Sequence, residues 1–285
     1  MKILGIGDNV IDYYTNMGVM YPGGNALNVA VHSSILGAEA AYMGNLGEDA
    51  MAQVIKNALS QFHVDSKACI TIKGSTTKRC NYKVIDGERI FLGVELGKQW
   101  SGPMVLNELE LEYIGKFDVL HSSCNAKMED EIDKLEYLPK ILSYDFGEKE
   151  KYRVPEYYNK VCRNLDLALF SCNKLTESEA KDFCRQLHQI GVKHILITMG
   201  GDGQYVSNGV SIVYGEAHNI IPVDTMGAGD AFLAAFIKSM YDSGWKKGEI
   251  MNTASLKVAL QKGNEYSTQN CRVEGGFGYK EEEIV

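Results

Sequence analysis

Asp224-Thr225-Met226-Gly227-Ala228-Gly229-Asp230 runs directly into the apolar stretch Ala231-Phe232-Leu233-Ala234-Ala235-Phe236-Ile237. The stretch predicts a buried helix, whose first turn offers N–H groups without intrahelical partners and a partial positive charge. Gly227 and Gly229 let the main chain approach a phosphate closely, and a helix start of this kind is an anion site. Asp230 then stands at the mouth of the cradle, where a carboxylate can accept the proton of an attacking hydroxyl. The combination predicts phosphoryl transfer.

Outward from that stretch, short apolar runs alternate with helical patterns, the rhythm of βα units around a mostly parallel sheet. Ile3–Ile6, Val119–Ser122, Ile141–Tyr144, Leu167–Phe170 and His194–Thr198 read as strands. Asn28–Leu36, Ala50–Phe62 and Glu177–Ile190 read as helices. The alternation breaks at residues 69–97. There Arg79–Ile85 and Arg89–Val94 flank the turn Asp86-Gly87-Glu88, a hairpin signal. With Ala68–Ile72 they predict a small antiparallel sheet inserted in or beside the main one, a lid, or else an ordinary edge hairpin of the core sheet, and Lys280–Glu283 predicts a frayed tail.

Composition bounds the chemistry. The 285 residues carry a formal net charge of −8, which argues against nucleic acid and means that a polyphosphate needs local donors or a metal ion. Seven scattered cysteines without a CxxC pair predict reduced thiols in a cytoplasm rather than disulfides or a zinc site. The N-terminus meets Asp8 too early for a signal-peptide core, and no apolar stretch approaches the ~20 residues that span a bilayer. There is no GxxxxGK[ST] loop, no GxGxxG after the first strand, no HExxH and no GxSxG. The six histidines carry no motif and read as structural.

Three further constellations could carry chemistry, the first and the third of them directly after predicted strands. Gly7-Asp8-Asn9-Val10-Ile11-Asp12 places Asp12 either to hold neighbouring sugar hydroxyls or to cap a turn. Pro22-Gly23-Gly24-Asn25-Ala26-Leu27-Asn28 offers glycines for close approach and Asn28 as a donor and acceptor for a polyol, or as a helix cap. Thr198-Met199-Gly200-Gly201-Asp202-Gly203 suits a nucleotide lying on the backbone or a plain turn. Gly44-Asn45-Leu46-Gly47-Glu48-Asp49 adds a tight turn.

The 224–230 stretch resembles the C-terminal signature of the ribokinase-like, or pfkB, carbohydrate kinases, and Gly23–Asn28 with Gly37 and Gly47 resembles their N-terminal signature. The resemblance implies one ribokinase-like α/β domain over residues 1–285. It would be a three-layer α/β/α fold with a mainly parallel central sheet and a small β-sheet lid formed by segments near 13–22 and 69–100. It implies ATP-dependent transfer to a sugar hydroxyl with Mg²⁺, Asp230 as base, and Gly227, Ala228 and Gly229 as the anion hole. Asp12, Gly24 and Asn28 would hold the sugar. Thr198, Gly200 and Gly203 would line the nucleotide, with the helix around Ser255–Leu260 near the adenine.

Many relatives carry NxxE in the metal and phosphate network, whereas here Asn173 is followed by Lys174-Leu175-Thr176-Glu177, so the acid is displaced by one position. Gly7-Asp8-Asn9, Ile11-Asp12-Tyr13, residues 23–31 and Arg89-Ile90-Phe91 are similar to fructoselysine 6-kinases, which phosphorylate a glycated amino acid. On that resemblance Arg89 and Glu95 would meet the amino-acid part. Tyr82, Ile90 and Phe91 would form the face of a homodimer through the lid.

Overall fold

In the computed structural model, residues 1–85, 88–98, 102–218 and 220–282 are described, apart from the side chains of Glu88, Arg89 and Glu136. The Asp86-Gly87 turn and the Arg89 side chain thus lie outside the described residues. The first apolar run forms β1 (Lys2–Ile6), and the chain then makes a hairpin of β2 (Val10–Tyr14) and β3 (Val19–Gly23). Helix α1 (Asn25–Ile35) leads to β4 (Glu39–Met43), a short β5 (Asn45–Leu46) and α2 (Ala50–Gln61). A second excursion holds β6 (Ile70–Thr71), β7 (Arg79–Ile85) and β8 (Glu88–Glu95). Alternation resumes with α3 (Glu108–Ile114), β9 (Val119–Ser123), α4 (Ile132–Glu136), β10 (Ile141–Asp145), α5 (Pro155–Val161) and β11 (Leu167–Ser171). Then come α6 (Glu177–Ile190), β12 (His194–Thr198) and the hairpin β13 (Gln204–Ser207) and β14 (Ile212–Gly215). Helices α7 (Ala228–Asp242) and α8 (Thr253–Asn270) precede the final strand β15 (Glu281–Glu282).

The large sheet has the order β14-β13-β12-β11-β10-β9-β1-β4. It is parallel from β12 to β4, and β13 and β14 continue it antiparallel. Its parallel strands are apolar on both faces because helices cover both. Ile3, Leu167 and Leu196 pack with α1, α2, α7 and α8, whereas Leu4, Ala168 and Ile195 pack with α3 to α6. The expected three layers and mainly parallel sheet are therefore present. Strand β1 lies between β4 and β9, although the chain visits β4 long before β9. That reversal makes a crevice at the carboxyl ends of β1 and β9, where ligands gather in open α/β sheets.

The second sheet has the order β15-β3-β2-β7-β8. Tyr14, Val19 and Tyr21 form its small core, with Tyr82, Val84 and Met226 against them. Two readings need correction. Ile70 and Thr71 do not join this sheet but pair in parallel with Asn45 and Leu46. Glu281 and Glu282 are not frayed: they pair with Met20 and Val19 along the edge of β3. Helix α1 also starts earlier than the apolar pattern indicates, with Gly24 at its N-cap (φ 120°), a backbone conformation that favours glycine.

Candidate active site

The carboxyl ends of the strands deliver the polar groups. Asp8 follows β1, Asn125 follows β9, Asp145 ends β10 and Ser171 ends β11. Helix α7 begins above them, with Gly227 at its N-cap (φ 68°) and no side-chain cap. A Cβ on Gly227 would come within 2.5 Å of the Gly276 carbonyl, so the C-terminal loop closes over this turn only because residue 227 has no side chain. A Cβ on Gly229 would meet nothing within 4 Å, which leaves open space in front of the first helical turn. Asp224 ties the loop down, accepting the N–H groups of Met226 at 2.9 Å and Gly275 at 3.0 Å.

Asp230 is buried, and two amides hold its carboxylate. Asn28 Nδ2 donates to one oxygen at 2.7 Å and Asn25 Nδ2 to the other at 3.0 Å. The same Asn25 amide also donates to Asp145 at 2.8 Å, while its oxygen accepts from Asn125 at 2.8 Å. Asn25 thus bridges two buried carboxyls in one fixed orientation. Its own backbone N–H donates to Asp8 at 2.9 Å, and Ser123 Oγ donates to the other Asp8 oxygen at 2.8 Å. Burial, then the charge of Asp145, pushes the Asp230 carboxyl well above the ordinary carboxylate range, against the pull of the two amides. Burial likewise raises Asp145 to about 7, opposed by the Gly147 N–H.

Asn28 keeps one buried atom without a partner, its Oδ1. A Cβ on Gly23 would lie 3.2 Å from Asp12 Oδ2 and 3.7 Å from that Asn28 oxygen, so Gly23 keeps the space between the two side chains clear. A buried acceptor without a donor is costly, and a ligand hydroxyl placed there would satisfy it. Gly24 is placed differently: its Cβ would strike the Asp8 carbonyl at 2.6 Å, so it serves the packing of α1 on the β1 loop.

Two cavities meet at the start of α7. One of about 290 Å³ is bordered by Asn25, Asn125, Asp145, Lys149 and Asp230. The other, of about 440 Å³, is bordered by Thr198, Gly200, Ile220, Pro222 and Phe232, with Asn264, Ser267 and Thr268 of α8 behind them. Ser171, Thr225, Ala228 and Gly229 border both. The α8 wall lies about a turn beyond the anticipated Ser255–Leu260. Gly203 and Asn173 are not on this wall. Gly203 holds a turn (φ 89°), where a Cβ would meet the Gly215 carbonyl at 2.5 Å, and Asn173 is exposed. Glu177, the displaced acid, is exposed on the first turn of α6 and pairs with Lys181 at 2.5 Å.

Sequence reasoning missed Asn25 as a contact of Asp230, and missed Asn125 and Asp145 altogether. The signal was available for Asp145, an acid at the carboxyl end of a predicted strand. His32, His121 and His194 are buried and His188 is half-buried. His32, for example, is buried between Tyr266 and the Gly276 carbonyl, and burial lowers it to about 4. Among the described residues no group of three or more His, Cys, Asp or Glu side chains is arranged to hold a metal ion, and no helix is long and apolar enough to cross a membrane.

Residues 9–279 match the pfkB family of carbohydrate kinases. A fructosamine kinase of Bacillus subtilis is 31% identical over 98% of this chain and 94% of its own length. A fructoselysine 6-kinase of Escherichia coli is 26% identical over 97% of this chain and 100% of its own. The solved structure of an Arabidopsis thaliana ribokinase complexed with ribose and ATP superposes with a TM-score of 0.79, at 18% identity, over 97% of this chain and 94% of that one. The fold is thus ribokinase-like, and the chain belongs to the pfkB carbohydrate kinase family.

Proposed function

We propose that this ATP-dependent carbohydrate kinase transfers the γ-phosphoryl group to the 6-hydroxyl of a fructosamine, with Asp230 as the base. The observation that carries the reading is the shared border: a polar cavity containing Asp230 and a cleft with apolar walls meet at Thr225, Ala228 and Gly229. A sugar fits between Asp230 in the first and the gap that Gly23 leaves between Asp12 and the unpartnered Asn28 oxygen, two groups that do not themselves border that cavity. A nucleotide base fits the second, against Phe232, Ile220 and Pro222. The γ-phosphate then falls at the first turn of α7, whose N–H groups stabilise charge developing in transfer. Asp230, fixed by Asn25 and Asn28, accepts the hydroxyl proton, and its raised affinity for protons suits a base. The small sheet of β2, β3, β7 and β8 serves as the lid that excludes water once the sugar is bound.

Mg²⁺ commonly keeps several waters and takes one or two carboxylates besides phosphate oxygens, so it needs no cage of protein ligands. Glu148 borders the transfer cavity and fits that sparse role, whereas Asn173 and Glu177 do not border it. The ion would neutralise charge on the phosphates. A homodimer through the lid would bury Ile90 and Phe91, which are 43% and 56% exposed; light scattering at two protein concentrations tests it. A cytoplasmic location accords with seven free cysteines, three of them buried.

The substrate reading is tested by kcat/KM for a fructosamine, fructose, ribose and a nucleoside measured side by side. The fructosamine is expected to lead. Preference for an unmodified sugar would overturn the fructosamine assignment and keep the kinase one, whereas ATP consumption with none of them, despite sugar binding, would favour a binding regulator.

A further inference from the structure

A third cavity, of about 100 Å³, opens beside the transfer site, and Asn125 borders both. Asp8 and Asn9 border it from the β1 loop, Lys78 from the start of β7 and Lys127 from the loop after β9. Leu46, Met104 and the turn at Gly47 complete the wall, which gives the Gly44–Asp49 segment a place. At the roughly 30 Å³ that a water occupies in the liquid, the space holds about three such groups, the size of a carboxymethyl group.

The wall is firmly built. The Lys78 carbonyl accepts the Ile11 N–H at 2.9 Å, one residue before Asp12. Thr77 donates its N–H and its hydroxyl to Asp49 at 2.7 Å each, and Asp49 also caps α2 through the Ala52 N–H. A Cβ on Gly47 would come within 2.6 Å of the Thr77 nitrogen, so the two loops touch backbone to backbone. Lys127 takes the left-handed conformation (φ 55°), which a residue other than glycine adopts at a cost.

The charges are the informative part. In a chain of net charge −8, two lysines border a cavity whose wall also holds Asp8, the carboxylate that accepts the Asn25 N–H. A plain hexose offers nothing to either sign. A sugar whose C1 bears an amino acid offers both, a secondary ammonium next to the ring and a carboxylate beyond it. Glu95, the residue anticipated for this part, is instead occupied by Arg79 at 2.6 Å and Asn81 at 2.8 Å.

We propose that the cavity bordered by Asp8, Lys78 and Lys127 holds the amino-acid part of a fructosamine, with its ammonium towards Asp8 and its carboxylate towards Lys78. This rests on the fructosamine reading above. The test compares fructosylglycine with fructosylmethylamine, the same amine lacking the carboxylate, and with fructose. The protein is expected to favour fructosylglycine over fructosylmethylamine roughly tenfold or more, the scale of a hydrogen bond between charged groups, mostly through KM. Lys78→Met should collapse that ratio towards unity, and Lys78→Arg should restore much of it. Equal use of the two amines by the unaltered protein would overturn the subsite and leave the fructosamine reading standing. Preference for fructose over both would overturn both. Retention of the ratio in a folded Lys78→Met protein would overturn the role of Lys78. The comparison of substrates depends on no variant, so a misfolded one does not obscure it.

Discussion

Helices α1 and α7 are joined through side chains at their starts, yet their N-termini are finished in opposite ways. Both have glycine at the N-cap in a conformation closed to most residues, Gly24 with φ 120° and Gly227 with φ 68°. At α1 the first N–H is taken by Asp8, which Ser123 in turn holds. At α7 no side chain caps the turn, and its first residue, Ala228, has only a long 3.3 Å bond to the Thr225 carbonyl. A carboxylate at a helix start satisfies the donors and the dipole. The protein does this where the helix serves as scaffold and leaves it undone where an anion is to arrive. The side chains joining the two starts, Asn25 and Asn28 from α1 and Asp230 from α7, couple the finished end to the open one.

The contrast can be broken at the open end first. Asp230→Asn is expected to keep the fold and nucleotide binding while turnover falls at least ~100-fold, the scale of general-base catalysis. Rapid-quench turnover with calorimetric nucleotide binding on the same preparation would show it, and near-normal turnover would remove Asp230 from the role. Gly229→Ala comes next. Its methyl enters open space, so the melting temperature should hold while turnover drops roughly tenfold, one decade for about 1.4 kcal/mol of lost transition-state stabilisation.

At the finished end the readout is stability. Asp8→Ala removes the partner of the Asn25 N–H and of Ser123, and should cost about 1–2 kcal/mol, seen as a lower urea midpoint. An unchanged midpoint would mean that α1 does not depend on its carboxylate.

The smallest effect separates the two carboxyls that Asn25 bridges. The Asp145 charge raises the affinity of Asp230 for its proton, so Asp145→Asn should move the acid limb of the kcat profile towards lower pH. Stability has its own sign. Asp145 is raised to about 7, so the folded state binds its proton more tightly than the unfolded state does. Its contribution is therefore full below the unfolded value of about 4 and is lost as pH rises through about 7. The variant should lose less stability than the parent between pH 5 and pH 8, and parallel melting curves across that range would contradict the assignment.

Much of the fold was legible because parallel strands covered on both faces are plain apolar runs. His194–Thr198 and Glu177–Ile190 match the observed elements residue for residue. The failures have physical causes. Ile70 and Thr71 are exposed and β-branched, so nothing local tells which edge they join, and a long-range partner at Asn45 and Leu46 decides it. The acids at 281–282 look solvated by composition, but the free edge of β3 captures them.

The site divides in the same way. The 224–230 stretch is contiguous, so its cradle and its carboxylate are read together. The Asn25–Asp145–Asn125 network is assembled from three segments separated by 20 residues or more, and no spacing within one segment encodes it. Lys78 belongs to that second class, because its neighbours across the cavity come from the β1 and β9 loops.

The most direct test of the contrast compares ¹⁵N amide shifts in two states of the Mg²⁺-containing protein: sugar with ADP, and the same with aluminium fluoride added as a stand-in for the transferring phosphoryl group. Large changes at Ala228 and Gly229 with little at Asn25 are predicted, because only the start of α7 is left open to an anion. Changes centred on Asn25, with the α7 amides silent, would contradict the account.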